Sequence, residues 1–300
     1  MPAEIAAIAY QNKDVVYSIL FQATAETLKT IAADPQHLGA ESGFFAVLHS
    51  WGQTLQHHPH LHCVVPGGGL SPDGQRWVSC RPGYFLPIPV LSGLFQRLFL
   101  ESLQKAFNLG KLQFFGALEP LRERLAFGRQ LAQAKTPQWV VYVKRPFAGP
   151  QQVLDYVGRY THRVAISNHR LLDIENDQVR FEWKDYRTGG QVKTMTLSAD
   201  EFIRRFLLHV LPNGFQRIRY YGFLGNRNRQ QKLDQCRRLL GMPVPDQPPA
   251  APVEPDYRDR YEDLTGTSLR QCPQCQRGRM VTVALLPRSP SSCTRLMDSS

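Results

Sequence analysis

Apolar residues recur at three- and four-residue intervals through residues 14–33, "DVVYSILFQATAETLKTIAA", and predict an amphipathic helix. The period then shortens. "FFAVLHSWG" reads as a strand, and a short polar link leads to "HLHCVVPGGGL", a second strand ending in three glycines. "SPDGQRWVSC" reads as a turn and a third strand. Residues 88–107 and 117–135 predict two helices, and "WVVYVKRPF" (139–147) a further strand. Pro150 suits the first turn of a helix running through "QQVLDYVGRYTHRV". From Val164 the pattern is a β-meander with turns at 176–177 and 189–190. Ser198 opens "SADE", a capping box completed by Glu201, ahead of the helical "EFIRRFLLHVL". The chain then becomes basic and aromatic, crosses a Pro-rich linker at 243–255, and ends in a short tail carrying a cysteine pair. No internal repeat is evident. The mixture predicts an α+β fold with antiparallel strands.

Composition narrows the partners. Thirty-six Lys and Arg against twenty-five Asp and Glu leave a net charge of +11, which favours a polyanion, most simply nucleic acid. No window is long and apolar enough to cross a membrane, and the N-terminus has no basic start followed by an apolar run. Six cysteines, scattered apart from Cys272 and Cys275, fit reduced thiols and a cytoplasmic protein better than a disulfide framework.

Four of the nine histidines fall in "HHPHLH". On a strand, His60 and His62 share a face, about 7 Å apart by the rise per residue, and can converge on one ion, while Leu61 enters the opposite layer. Pro59 keeps the entry extended. "CVV" and the glycines that follow suggest a central strand. The opposing reading is a polar, solvated edge. Two imidazoles need a third ligand. Gln53, near the hairpin end, is one candidate, and His162, Gln152 and Asp155 on the later helix are rivals. His57 and His58 read as loop bystanders.

"DYVGRYTHR" places Tyr156 and Tyr160 four residues apart on one helix face, with Arg159 and Arg163 beside them. Such a pair usually marks the edge of a core. A tyrosine can also attack phosphorus to give a covalent phosphotyrosine, and it then needs a divalent ion and basic side chains to hold the strand. In "RIRYYGFLGNRNR", Arg217, Arg219, Arg227 and Arg229 alternate with Tyr220 and Tyr221. That mixture can neutralise phosphates and stack on unpaired bases.

Taken in order, "HPHLHCVVPGGGLS", "YVGRYTHRVAISNHRL" and "GFQRIRYYGFLGNR" resemble three blocks of the two-tyrosine HUH rolling-circle transposases, the insertion-sequence-91 family, over about residues 14–240. The name denotes His-hydrophobic-His, here His60, Leu61 and His62. The resemblance implies a ferredoxin-like antiparallel sheet with these histidines on a central strand and the tyrosine helix packed beside it. It implies Mg²⁺ or Mn²⁺ at the histidines, single-stranded DNA at element ends and target as substrate, and nicking through 5′-phosphotyrosine links on Tyr156 and Tyr160. It divides the chain into a nuclease core (1–163), a meander and basic helical extension (164–242), the linker (243–255) and a tail (256–300), in a bacterial cytoplasm.

Family members begin with a cysteine-rich zinc-binding domain and a first strand. This chain starts beside its first helix and so reads as shortened, which leaves a sheet edge open. Cys272 and Cys275 have zinc spacing, but a closed site needs four ligands, so they form at most a candidate Zn²⁺ half-site. Two rivals to a nickase remain. One is a shortened, inactive single-strand binder. The other is a replication initiator or relaxase with the same chemistry.

Overall fold

Helix α1 (Ala3–Gln11) leads at once into α2 (Lys13–Ala33), the predicted first helix. The computed structural model describes residues 2–83, 85–137, 139–144, 149–161 and 165–243, with 258, 262, 266, 268–272, 274, 275 and 277–280. Asn12 joins the two helices. Its Nδ2 donates to Gln113 O at 2.8 Å and its Oδ1 accepts from Gln113 N at 2.7 Å, so the kink is held by a partner a hundred residues away.

Strands β1 (Phe44–Trp51) and β2 (His57–Val64) form an antiparallel hairpin. A small ribbon follows, β3 (Gly68–Leu70) paired with β4 (Trp77–Ser79). Next come α3 (Ile88–Asn108), α4 (Arg124–Lys135) and α5 (Pro150–Thr161). The meander is β5 (Leu171–Glu175), β6 (Gln178–Asp185) and β7 (Gln191–Ser198). It leads into α6 (Ala199–Leu207), β8 (Ile218–Tyr221) and α7 (Arg229–Leu239). The class is α+β, as expected, with the antiparallel strands among the described residues in three groups, β2-β1-β8, β3-β4 and β5-β6-β7.

Alternation decides which face of the main sheet is dry. Ala46 and Leu48 of β1, with Leu61 and Cys63 of β2, point into a core built with Tyr17 and Phe21 of α2, Phe99 and Leu103 of α3 and Phe127 of α4. The fully buried large apolar side chains among these, Leu48, Phe21, Phe99, Leu103 and Phe127, each contribute roughly 1.5–3 kcal/mol. The opposite face carries His49, His60 and His62. Helix α5 lies over it, against β1.

Several expectations change. The second predicted helix, 117–135, is broken: Gly116–Arg122 is a 3-10 turn containing Pro120, and α4 starts only after Glu123. Proline at that position cannot donate into a continuous helix. Residues 139–144 form no ladder, although burial still alternates from buried Trp139 to exposed Val140 and Tyr142. Trp139 is held instead by side-chain bonds, its Nε1 donating to Ala134 O while Ser92 Oγ donates to its carbonyl. Residues 145–147 of that predicted strand lie outside the described residues. Among the described residues β2 is consequently an edge of its sheet, not the centre. β1 is central because the basic "RIRYY" segment supplies β8, which pairs along its other side. The meander and the Ser198 cap are as predicted: Asn176 and Asp177 both take positive φ at the first turn, and Ser198 Oγ accepts from Glu201 N at 3.3 Å.

The end of β8 is fixed by a close approach. Gly222 has φ +56°, and a Cβ there would lie 1.8 Å from Ser42 O. The adjoining Phe223 packs with Leu70 and Cys236, while Gln235 Nε2 donates to Gly74 O at 2.8 Å, tying α7 to the β3–β4 turn. Gly222→Ala is therefore expected to cost about 3 kcal/mol or more, on the order of 10 °C in thermal midpoint. Gly189→Ala, at φ +75° with nothing within 4 Å, should cost only the local backbone strain, about 1–2 kcal/mol. Thermal unfolding of the two variants checks the difference.

Candidate metal centre

The hairpin register builds the site. His49 pairs with His60 and Val47 with His62, so three imidazoles leave the same face of β1 and β2. One ligand atom from each of His49, His60 and His62 lies within 4.8 Å of the others, which fits a divalent ion. His49 is buried, and His60 and His62 are half-buried. His60 Nδ1 lies 2.7 Å from His58 O, and His60 Nε2 lies 3.1 Å from His62 Nε2. Since a carbonyl only accepts, His60 keeps its proton on Nδ1 and turns the Nε2 lone pair towards the cluster. Two nitrogens about 3 Å apart match the span of two donors on one ion with bonds near 2.1 Å.

Burial favours the neutral form of His60 and His62, the form in which an imidazole can hold an ion. It lowers the pKa of His60 and of His62 to about 4, and in His62 the Lys144 ammonium adds to the effect. Behind the hairpin, on the dry face, His57 Nε2 pairs with Tyr17 Oη at 2.8 Å. His209 contacts Ser50 Oγ through Nδ1 and Leu55 O through Nε2. Burial likewise pushes His57 down to about 4 and lowers His209.

The tyrosine helix reaches the cluster. Tyr156 Oη is 2.6 Å from His62 Nδ1. Lys144 Nζ stands 5.2 Å from the centre of the Tyr156 ring, a cation–π distance. On the other flank Trp51 stacks on His49 at 4.8 Å and 14°, and the Arg217 guanidinium lies 5.0 Å from the Trp51 ring.

The residues singled out in the sequence fall into distinct positions. His60, His62 and Tyr156 meet. Tyr160 lies one turn along the same helix, and the side chains of Tyr160 and Arg159 are outside the described residues, as are His162 and Arg163. Gln53 is engaged elsewhere: its Oε1 accepts from Lys184 N and its carbonyl from Arg170. Asp155 is exposed and accepts from Gln151 at 2.9 Å; Gln152 is exposed as well. Within the basic block, Arg217 Nε donates to Leu48 O, Arg219 lies 4.4 Å from the Phe21 ring and Tyr221 stacks on Phe44, so all three help build the core sheet. Tyr220, Arg227 and Arg229 are exposed, with Arg229 over the Tyr220 ring. In the separate C-terminal unit, Val244–Ser300, a bridge joins Gln271 and Arg279, and Gly278 N donates to Cys275 Sγ at 3.3 Å. Backbone donors lower the Cys275 thiol pKa. Sequence reasoning missed His49 and Lys144. For His49 the sequence offered a histidine on the neighbouring predicted strand, but not the register that sets it opposite His60.

A family model described as "Y2_Tnp: Putative transposase" matches residues 43–232. The chain is 70% identical over 285 residues to "Putative transposase y4qJ" of Sinorhizobium fredii, covering 95% of this chain and 71% of that protein. It is 27% identical over 240 residues to "Transposase for insertion sequence element IS801" of Pseudomonas savastanoi pv. phaseolicola, covering 75% of this chain and 53% of that protein. The chain thus spans about half the length of the second relative. No solved structure matches it.

Two predictions follow from the geometry. Mn²⁺ bound at the three histidines should quench Trp51, which stacks on one of them. The quench should vanish in Trp51→Phe, and His49→Ala should weaken Mn²⁺ binding at least about 10-fold; quenching that survives in Trp51→Phe would place the ion elsewhere. The second concerns acid. Unfolded imidazoles take up protons near 6.5, whereas His57, His60 and His62 do so at about 4 when folded. Between those values the folded state binds fewer protons, so stability is full above about pH 6.5 and is lost as pH falls towards 4. Thermal midpoints of the ion-free protein across that range measure it.

Proposed function

The chain belongs to the two-tyrosine transposase family, of insertion-sequence-91 type, and from that membership we propose that it nicks and rejoins single-stranded DNA at the ends of an insertion sequence, with Tyr156 as a nucleophile. The observation that carries this reading is the 2.6 Å contact between Tyr156 Oη and His62 Nδ1. It sets a phenolic oxygen against a three-histidine cluster on a basic protein.

In this reading the Tyr156 oxygen attacks a backbone phosphorus. The phenol gives up its proton as an O–P bond forms to the tyrosine, the P–O3′ bond breaks, and the released 3′ oxygen takes up a proton. A 3′-hydroxyl later attacks the phosphotyrosine, restoring a phosphodiester and the free phenol without ATP. A divalent ion at His49, His60 and His62 would supply Lewis-acid polarisation of the scissile phosphate. Of the two ions expected, Mn²⁺ suits the all-nitrogen donor set better, since Mg²⁺ prefers oxygen. Lys144, beside Tyr156 and exposed, offers a cation to the phosphate oxygens. Tyr220 on β8, with Arg227 and Arg229 at the approach to and start of α7, are exposed and suit stacking and phosphate contact with a single strand; Arg159 and Arg163, which flank Tyr160 in the sequence, take the same role. Tyr160, about 6 Å further along the helix axis by the rise per residue, is the second nucleophile, able to hold one strand end while another is cut.

The test is adduct formation on labelled single-stranded DNA carrying an element end, read on a denaturing gel with Mn²⁺ or with EDTA. The account expects a Mn²⁺-dependent covalent adduct that falls at least about 100-fold in Tyr156→Phe, and by about 10-fold or more in Lys144→Gln with partial rescue by Lys144→Arg. An adduct that persists in the Tyr156→Phe, Tyr160→Phe double variant would overturn the assignment. DNA binding with no adduct in the unaltered chain would favour the binder.

A further inference from the structure

We propose that His62 couples the ion site to the nucleophile: loading an ion on the histidines reverses the hydrogen bond between His62 and Tyr156, from one the tyrosine donates to one it accepts. The inference rests on the reading of Tyr156 given above.

Hydrogen-bond direction follows from what each group can do. His58 O can only accept, so His60 Nδ1, at 2.7 Å, carries the proton and His60 Nε2 is bare. His62 Nε2 lies 3.1 Å from that bare nitrogen and must donate to it. A neutral imidazole carries one proton, so His62 Nδ1 is then bare and accepts from Tyr156 Oη at 2.6 Å. Without an ion, the four groups form one directed chain, from the Tyr156 hydroxyl through His62 and His60 to the His58 carbonyl. The attacking oxygen is held as the donor of its bond to His62.

An ion requires the lone pairs at both Nε2 atoms. His60 already presents its own. His62 does not, and to ligate through Nε2 it must carry its proton on Nδ1 instead. That N–H faces the Tyr156 oxygen. Tyr156 becomes the acceptor of that bond, so its oxygen meets a donor already in place when it attacks phosphorus. The Lys144 ammonium over the ring acts in the same sense. His62 is thus a ligand by one nitrogen and a positioning residue for the nucleophile by the other. Metal dependence would arise twice, at the phosphate and at the tyrosine.

The tautomer is directly measurable. Long-range ¹H–¹⁵N correlation spectra of histidine-labelled protein, recorded without metal and with diamagnetic Zn²⁺, report which ring nitrogen carries the proton; His60→Gln and His62→Gln variants assign the signals. The proposal expects His60 to hold its proton on Nδ1 throughout, and His62 to move its proton from Nε2 to Nδ1 on loading. In Tyr156→Phe the loaded tautomer should persist while the shift of the Nδ1 proton changes. A His62 that carries its proton on Nδ1 in the metal-free protein, or that keeps it on Nε2 when loaded, overturns the coupling. The two claims fail separately. Adducts that survive Tyr156→Phe remove the nucleophile, whereas an unchanged His62 tautomer alongside tyrosine-dependent adducts removes only this inference.

Discussion

The register between β1 and β2 is the constraint on which the site depends. Side chains alternate strictly along a strand, so a slip of one residue would send His60 and His62 into the core and bring Leu61 to the face they occupy. The register is fixed from the dry side, where Leu48 and Leu61 pair in a core with Phe21, Phe99 and Leu103. Burial of those groups therefore does more than stabilise the fold. It decides which three imidazoles meet, with His49 placed opposite His60.

Around that hairpin the chain supplies supports from distant segments. Trp51 stacks on His49 and is itself covered by Arg217, whose Nε bonds to Leu48 O, so the β8 region steadies His49 on β1. His209 joins the turn after β1 through Leu55 O and the strand through Ser50. Lys144 and Tyr156 approach from the opposite flank. Among the described residues the cluster is three imidazoles with an ammonium nearby and no carboxylate in the group, so these side chains would leave the charge of a bound ion uncompensated. A phosphodiester anion is the natural counter-charge.

Much of this was legible in the sequence, for physical reasons. Period-two and period-3.6 patterns marked α2, β1, β2, α3, α5 and the meander. The capping box at Ser198 and the turn at Asn176–Asp177 carried their own local chemistry. Three things were not legible. The break at Pro120 was overridden in the pattern by apolar residues on both sides of it. The strand within "RIRYY" was hidden because its arginines looked like solvated charge, whereas Arg217 and Arg219 lie along aromatic rings of the core. The third histidine required knowing which residue of β1 stands opposite His60, and pairing between strands is a tertiary fact. Gln53 was a reasonable guess from the hairpin end, but its amide is taken by the meander.

The most direct test of the central claim is crystallographic: a Mn²⁺-soaked crystal with anomalous scattering recorded at the manganese edge. The account predicts one strong peak among His49, His60 and His62, with the Tyr156 oxygen still against His62. A peak at other ligands, or an ion held without His49, would contradict it.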